Sequence, residues 1–292
     1  MAILISTFIA FLNATGVVLN KIVLSRQKVG HRPFVVTLFF LLAFFTLLVY
    51  PFFGRVEEPV SSRYLGLLIL VILIASVYNV LYYHALEKEQ LVEWELIVMF
   101  SPLVTILFAS LFLQVERNLH VIFAGLVASL ALVFSHFRRH HLQFDIFQKG
   151  LFLYLFFYAL EAVLIRLLLN VYSPVALYFF RTAGVFLCLC LWYLFLAPRF
   201  HGEPPLTFHQ WKNKHFGWVA LISALAVIQM VLIYYAYAGY GIVYTTTVLT
   251  FSPILTYLAG VVILKERIKK RMILAAAIIL SCIVYANLAM LR

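Results

Sequence analysis

Ten apolar runs divide this chain, at approximately 3–24, 33–53, 64–85, 91–113, 119–137, 150–171, 174–197, 216–239, 241–264 and 271–291. Each is close to the roughly 20 residues that a helix needs to cross a hydrocarbon core. A spanning segment in lipid must satisfy its own backbone, which leaves helices and closed barrels. These runs are too long and too uniformly apolar for barrel strands, which alternate lipid-facing and lumen-facing residues. The reading is an all-α membrane protein with ten transmembrane helices. Composition agrees: 65% of residues are hydrophobic and 11% charged, whereas soluble domains run near 45–50% and about 25%. The first run lacks a basic leader and a convincing small-residue cleavage site, so it reads as a span rather than a signal peptide.

The formal net charge is +11. The basic residues lie mainly in short turns between apolar runs, which fits a bilayer surface and not nucleic acid. If ten helices alternate in direction, the face bearing both termini carries Arg55, Arg63, Arg117 and Arg292, while fifteen other Lys and Arg residues lie on the opposite face. The positive-inside rule then places both termini outside the cytoplasm. Cys188, Cys190 and Cys282 all fall within apolar runs, and neither a disulfide nor a metal site is expected from them.

Short motifs return in order along the chain. Tyr82-Tyr83 recurs as Tyr234-Tyr235, Phe100-Ser101-Pro102 as Phe251-Ser252-Pro253, and Glu116-Arg117 as Glu266-Arg267, at offsets of 152, 151 and 150. The chain divides accordingly into 1–140 and 141–292, each with five spans. An odd number of spans forces the second copy to insert upside down. Two inverted five-helix repeats are expected, with a substrate site near the midplane between them.

Three features repeat in each half: an apolar helix with a central proline, Glu-Arg in a tight turn, and an Ala/Gly-rich helix. This pattern, over Phe100 to Phe134 and Phe251 to Tyr285, resembles the EamA-type domain of the drug/metabolite transporter superfamily. Lys21 and Arg166 near the ends of first helices, and Arg181 in the seventh run, are also similar to the family pattern; Phe40 stands where Arg181 would align in the first half. The resemblance implies ten helices, a central cavity and transport of solutes such as amino acids, nucleotide precursors or sugar conjugates. It also implies cytoplasmic termini, against the charge count.

Several polar residues lie inside the apolar runs. Glu161 is near the middle of the sixth, where a carboxylate is costly and is usually functional or paired. Tyr154, Tyr158 and Glu161 recur at three-to-four-residue spacing and share a face. Two readings of Glu161 stand: a cavity carboxylate that binds a substrate amine or a coupling proton, and one half of an ion pair with Arg181. Arg166 and Arg181 together suit an anionic group, or snorkel or pair. Asn13, Asn79, Tyr83, Gln229 and Tyr237 extend the polar stripe to other helices and read as substrate contacts or as helix–helix hydrogen bonds. Lys21 with Glu93 and Glu95 form a second group toward one face, a gate or a set of snorkelling side chains. Pro102 and Pro253 are expected to kink the fourth and ninth helices at matched places, as hinges or static bends. No phosphate loop, zinc spacing or nucleophile triad is present in the sequence, so no cofactor, metal or catalytic residue is expected.

The functional expectation is a secondary transporter in a cell membrane, plasma or inner. Its solute is a small polar metabolite, exported by alternating access. The intramembrane charges, Lys21, Arg166 and Arg181 against Glu93, Glu95 and Glu161, roughly balance, which favours an amino-acid-like zwitterion. An anionic sugar or nucleotide conjugate is the alternative if both arginines face the lumen; a lipid-modifying enzyme would need acid/base or metal groups clustered at one interface, and a non-transporting membrane protein would leave the polar stripes without a cavity.

Overall fold

The computed structural model of the chain describes residues 2–21, 23, 31–57, 60–88, 98–136, 146–196, 213–255 and 270–290. Among them are ten α-helices: α1 (Ala2–Lys21), α2 (His31–Phe53), α3 (Ser62–Lys88), α4 (Ser101–Phe112), α5 (Leu119–His136), α6 (Ile146–Leu168), α7 (Pro174–Leu191), α8 (Asn213–Tyr240), α9 (Ile242–Leu249) and α10 (Lys270–Met290). A 3₁₀ turn, Gln114–Glu116, follows α4, and a π-helical turn, Trp192–Leu196, follows α7. The described residues contain no β-strand, only an isolated antiparallel bridge between Val56 and Tyr172.

A helix stands in each of the ten apolar runs. Six stretches are long and apolar enough to cross a membrane: Arg32–Phe53, Ser62–Glu87, Gly150–Leu168, Pro174–Leu194, Phe216–Tyr240 and Ile273–Met290. Four shorter apolar helices, Thr7–Asn20, Ser101–Phe112, Leu119–Ser135 and Ile242–Leu255, accompany them. Phe52, Leu111, Phe123, Phe134 and Leu274 are well exposed on the outside of the bundle. So much outward apolar surface is stable only against lipid.

The two proline-bearing runs are described only in part, at 98–113 and 241–255. Both break at the repeated Phe-Ser-Pro. In the first, residues 99–100 form a turn and α4 starts at Ser101; in the second, α9 ends at Leu249, Thr250 and Phe251 form a turn, and 252–255 are helical again. Proline has no N–H to give to the carbonyl four residues earlier and its ring crowds that carbonyl. The groups affected are those of Val98 and Leu249. Neighbouring turn bonds, Phe251 N to the Val248 oxygen at 3.0 Å and Ile254 N to the Phe251 oxygen at 3.1 Å, close the gap. Kinks at matched places were expected, and a turn interrupts the helix two to three residues before each proline.

Each helix has a small set of partners. α5 packs on α10, α2 on α7, α3 on α6, α1 on α8, and α4 on both α6 and α9. Small residues set the closest approach. A Cβ at Gly125 would lie 2.5 Å from Thr247 Oγ1 and 2.7 Å from Ile106 Cδ1, so only glycine lets α5 reach α4 and α9 there.

One end of the bundle is stitched together. Ser173 caps α7 by accepting the Ala176 N–H at 3.3 Å, accepts the Arg55 N–H at 2.9 Å and donates to the Phe53 carbonyl at 3.0 Å. Glu57 N bonds the Val171 oxygen and Ser173 N the Arg55 oxygen, each at 2.9 Å. The α2–α3 and α6–α7 connections are thereby joined. Arg166, in the last turn of α6, carries the junction on to Glu116 and the start of α9.

Candidate solute cavity

A cavity of about 270 Å³ lies among α1, α2, α3, α4, α6, α7, α8 and α9. Its walls differ chemically. The α3 and α6 side is phenolic: Tyr78, Tyr82, Tyr154 and Tyr158 interleave, with ring centroids 5.6 Å apart for Tyr78–Tyr154, 5.1 Å for Tyr82–Tyr154 and 5.7 Å for Tyr154–Tyr158. These tilted and edge-on contacts are favoured aromatic geometries. Opposite them α1, α8 and the break after α9 supply amide and hydroxyl groups. Gln229 Nε2 donates to Asn13 Oδ1 at 2.9 Å, and Asn13 Nδ2 donates to Ser252 Oγ at 3.1 Å. Both serines and both prolines of the repeated Phe-Ser-Pro line the cavity. Thr105 also lines it, is 1% exposed, and its hydroxyl has no hydrogen-bond partner among the described residues.

Arg181 is the one formally charged side chain in the described lining. Its charge is matched from behind. Nε donates to Glu161 Oε1 at 2.6 Å, Nη2 donates to the Tyr78 hydroxyl at 2.5 Å, and Tyr78 donates on to Glu161 Oε2 at 2.5 Å. The second terminal nitrogen, Nη1, has no partner among the described residues. Charge-assisted hydrogen bonds of this kind are the strong ones, and a buried pair holds only when its remaining atoms are also satisfied. Tyr78 supplies that satisfaction for Glu161 Oε2 and Arg181 Nη2.

The structure thus gathers Asn13, Asn79, Tyr83, Tyr154, Tyr158, Arg181, Gln229, Tyr237, Pro102 and Pro253 around one space. It does not bring Glu161 or Arg166 to the lining. Glu161 is 3% exposed and stands behind Arg181, the paired arrangement of the two that its sequence position allowed. Arg166 sits at the stitched end, its Nε 3.7 Å from Glu116 Oε1, so the two arginines do not converge on one anion. The physical reason is helical phase: five residues turn Arg166 well away from Glu161's face. α1 ends at Lys21, whose side chain, like Glu93 and Glu95, lies outside the described residues.

Sequence reasoning did not single out Tyr78, Tyr82, Tyr178, Ser101, Thr105, Thr246 or Ser252 as site residues, although all line the cavity. Ser101 and Ser252 were visible inside the repeated motif. Thr246 belongs to a run of three threonines, a hydrophilic cluster within an apolar stretch. Tyr78 lies four residues before Tyr82, on the same α3 face.

Helices that cross a bilayer, an apolar exterior and a polar cavity define a multi-pass integral membrane protein of the solute-handling kind. Residues 149–288 match the EamA-like transporter family, which belongs to the drug/metabolite transporter superfamily, so the second half of the chain is similar to that family. Family members are transporters, which implies a small-molecule substrate and a bilayer environment. No curated protein matches the chain. One solved crystal structure, described only as that of a protein, is similar over 97% of both chains with a TM-score of 0.67 at 17% identity. That likeness speaks for the fold from end to end.

Proposed function

We propose that this chain is a secondary transporter that exports a small, polar, net-neutral metabolite of the amino-acid type by alternating access. One observation carries the solute class: the described cavity wall contains a guanidinium whose charge is already cancelled by Glu161, leaving Nη1 free. A solute carboxylate on Nη1 brings a surplus negative charge into a poorly solvated space, and a cationic group on the same solute cancels it. The Asn13–Gln229–Ser252 side and the faces of Tyr154 and Tyr158 suit that second pole, by acceptor oxygens and by cation–π attraction. The anionic-conjugate alternative required both arginines in the lumen, and Arg166 is elsewhere. A space of about 270 Å³ also falls below the roughly 300–1,000 Å³ of most ligand pockets, which favours a small metabolite over a nucleotide sugar.

The transport mode rests on architecture. We take 1–140 and 141–292 as two inverted five-helix repeats and all ten helices as spans. Exchange of α1–α5 with α6–α10 turns the α1–α8 contact into α6–α3 and keeps α5–α10, α2–α7 and α4–α9. That is the pattern a two-fold relation produces. Broken helices at matched motifs are typical of sites where one repeat rocks against the other. Export and a cell-membrane location follow the family resemblance. The charge count makes the stitched, terminal end the outer one.

The test is a thermal-shift screen of purified protein against amino acids, amines, monocarboxylates and phosphorylated sugars, followed by flux into liposomes. Stabilisation and flux by zwitterions, but not by the matching amine or carboxylate alone, is expected. Selective transport of phosphorylated solutes would overturn the solute class, and no flux with any class would overturn the transporter reading.

A further inference from the structure

Glu116 is a buried carboxylate that the solute cavity does not use. It is 7% exposed and sits in the 3₁₀ turn after α4. Its oxygens accept two backbone N–H groups from the start of α9: Ile242 N to Oε1 at 2.9 Å and Val243 N to Oε2 at 3.2 Å. The first turn of a helix leaves its N–H groups without internal partners, and the residue before α9 is Gly241, which has no side chain to cap them. Glu116 therefore caps α9 from the other half of the chain, with the favourable interaction of an anion and a helix N-terminus. Gly241 is shaped for this. Its φ is 84° and a Cβ there would lie 2.6 Å from Oε2 and 2.7 Å from Oε1.

A second partner waits beside the first. Arg166 Nε is buried, has no hydrogen-bond partner among the described residues, and lies 3.7 Å from Glu116 Oε1, beyond hydrogen-bond length. An unsatisfied buried guanidinium N–H is expensive, and a small movement of the carboxylate would satisfy it. Glu116 thus has two sets of donors within reach and bonds one. α9 leads from this capped start to Thr246, Leu249 and the broken Ser252-Pro253, all of which line the cavity. Arg117, next in sequence, is turned away onto the carbonyls of Ser110 and Leu111.

We propose that Glu116 is the latch of the gate at the stitched end. It holds the start of α9 while that end is closed, and it passes to Arg166 when α9 swings away. Each state then gives the carboxylate a full set of partners, which is what a switch between two packed arrangements needs. The inference does not depend on which solute is carried.

The test follows the gate without a solute. Spin labels go on Val115→Cys and Gly239→Cys, after replacement of the three native cysteines by serine. Val115 is 86% exposed and a Cβ at Gly239 meets nothing within 4 Å. Pulsed dipolar spectroscopy on the reconstituted full chain reads the distance distribution. Arg166→Gln removes the open-state partner and should enrich the short-distance population by about fivefold or more, the lower range of allosteric couplings. Gly241→Ala pushes the carboxylate off α9 with its charge intact and should enrich the long-distance population. In a Glu116→Gln background the effect of Arg166→Gln should vanish. The latch is overturned if Arg166→Gln leaves the distribution unchanged or acts equally with and without Glu116. It is also overturned if Arg166→Gln and Gly241→Ala shift it the same way. Should Glu116→Gln fail to fold, the opposed pair of single substitutions decides alone.

Discussion

Among the described residues two carboxylates are buried, Glu161 and Glu116, and they are stabilised by opposite means. Glu161 has a full-charge partner in Arg181 and a phenol in Tyr78, supplied by three helices in mid-bundle. Glu116 has two backbone N–H groups at the start of a single helix. The first arrangement is closed on itself, since every short contact is made within the cluster. The second depends on where α9 is. Buried charge in a bilayer must find a partner, but the partner's identity decides whether the site is a fixed part or a moving one. Glu161 sets the electrostatics of the cavity wall; Glu116 reports the position of a helix.

The largest expected effect falls on the Glu161 cluster. Arg181→Gln strips a buried carboxylate of its cation, and breaking such a pair on one side costs roughly 3–5 kcal/mol. Purified protein should lose many degrees in thermal unfolding and all flux. Arg181→Met with Glu161→Gln removes both charges and should restore most of the stability without restoring transport. Recovery of flux in that double variant would show that Arg181 only holds the fold, and the contrast between the two carboxylates would lose its functional half.

A middle-sized effect is expected at the breaks. Pro253→Ala returns an N–H to the ladder, and a proline inside a helix is roughly 3 kcal/mol less favourable than alanine. A continuous helix there should stabilise the protein modestly and slow turnover, with solute affinity by thermal shift kept within about threefold, or about 0.6 kcal/mol. Faster turnover would mean that the break is packing and not part of the cycle. Pro102→Ala should act in the same direction if the halves work as equivalents.

The helices were legible because a bilayer imposes one signal, apolar length, and each of the ten runs holds one of the ten helices among the described residues. The shortfalls came where that signal is blind. Hydropathy over 241–264 does not register that Pro253 removes a backbone donor, so the turn at Thr250 and Phe251 is not written in it. Polar stripes gave Asn13, Asn79, Gln229, Tyr83, Tyr154, Tyr158 and Tyr237, because a polar group inside an apolar run has few places to go. Glu161 was conspicuous for the same reason, yet whether it faces the cavity or hides behind Arg181 depends on the relative rotation of α6 and α7, which one helix's sequence does not contain. Glu116 attracted notice only as half of a repeated Glu-Arg. Its burial against α9 is a contact across 126 residues, invisible to local pattern. Phe40 is half exposed among the outward phenylalanines of α2, so Arg181 has no charged counterpart at that position in the first half.

The smallest expected effect belongs to the amide side of the cavity, and it tests whether that side touches solute at all. Gln229 Nε2, Asn13 and Ser252 form a chain of two hydrogen bonds that is only partly buried. Exchanging one neutral hydrogen bond for water changes a free energy by roughly 1 kcal/mol. Gln229→Leu should therefore leave the fold nearly as stable as before, since Asn13 keeps its bond to Ser252 and water replaces the lost donor. If the chain of amides presents acceptors to the cationic end of a zwitterion, the same substitution weakens solute binding by about fivefold, or about 1 kcal/mol. It should do so for the zwitterion and leave any residual binding of the matching carboxylate unchanged, because that group is held by Arg181 across the cavity. A thermal-shift titration with both ligands separates the two. Equal weakening for both would mean that Gln229 shapes the cavity without meeting a charge. The solute's second pole would then belong to the tyrosine faces of α6, where Tyr158→Leu is the next substitution to make.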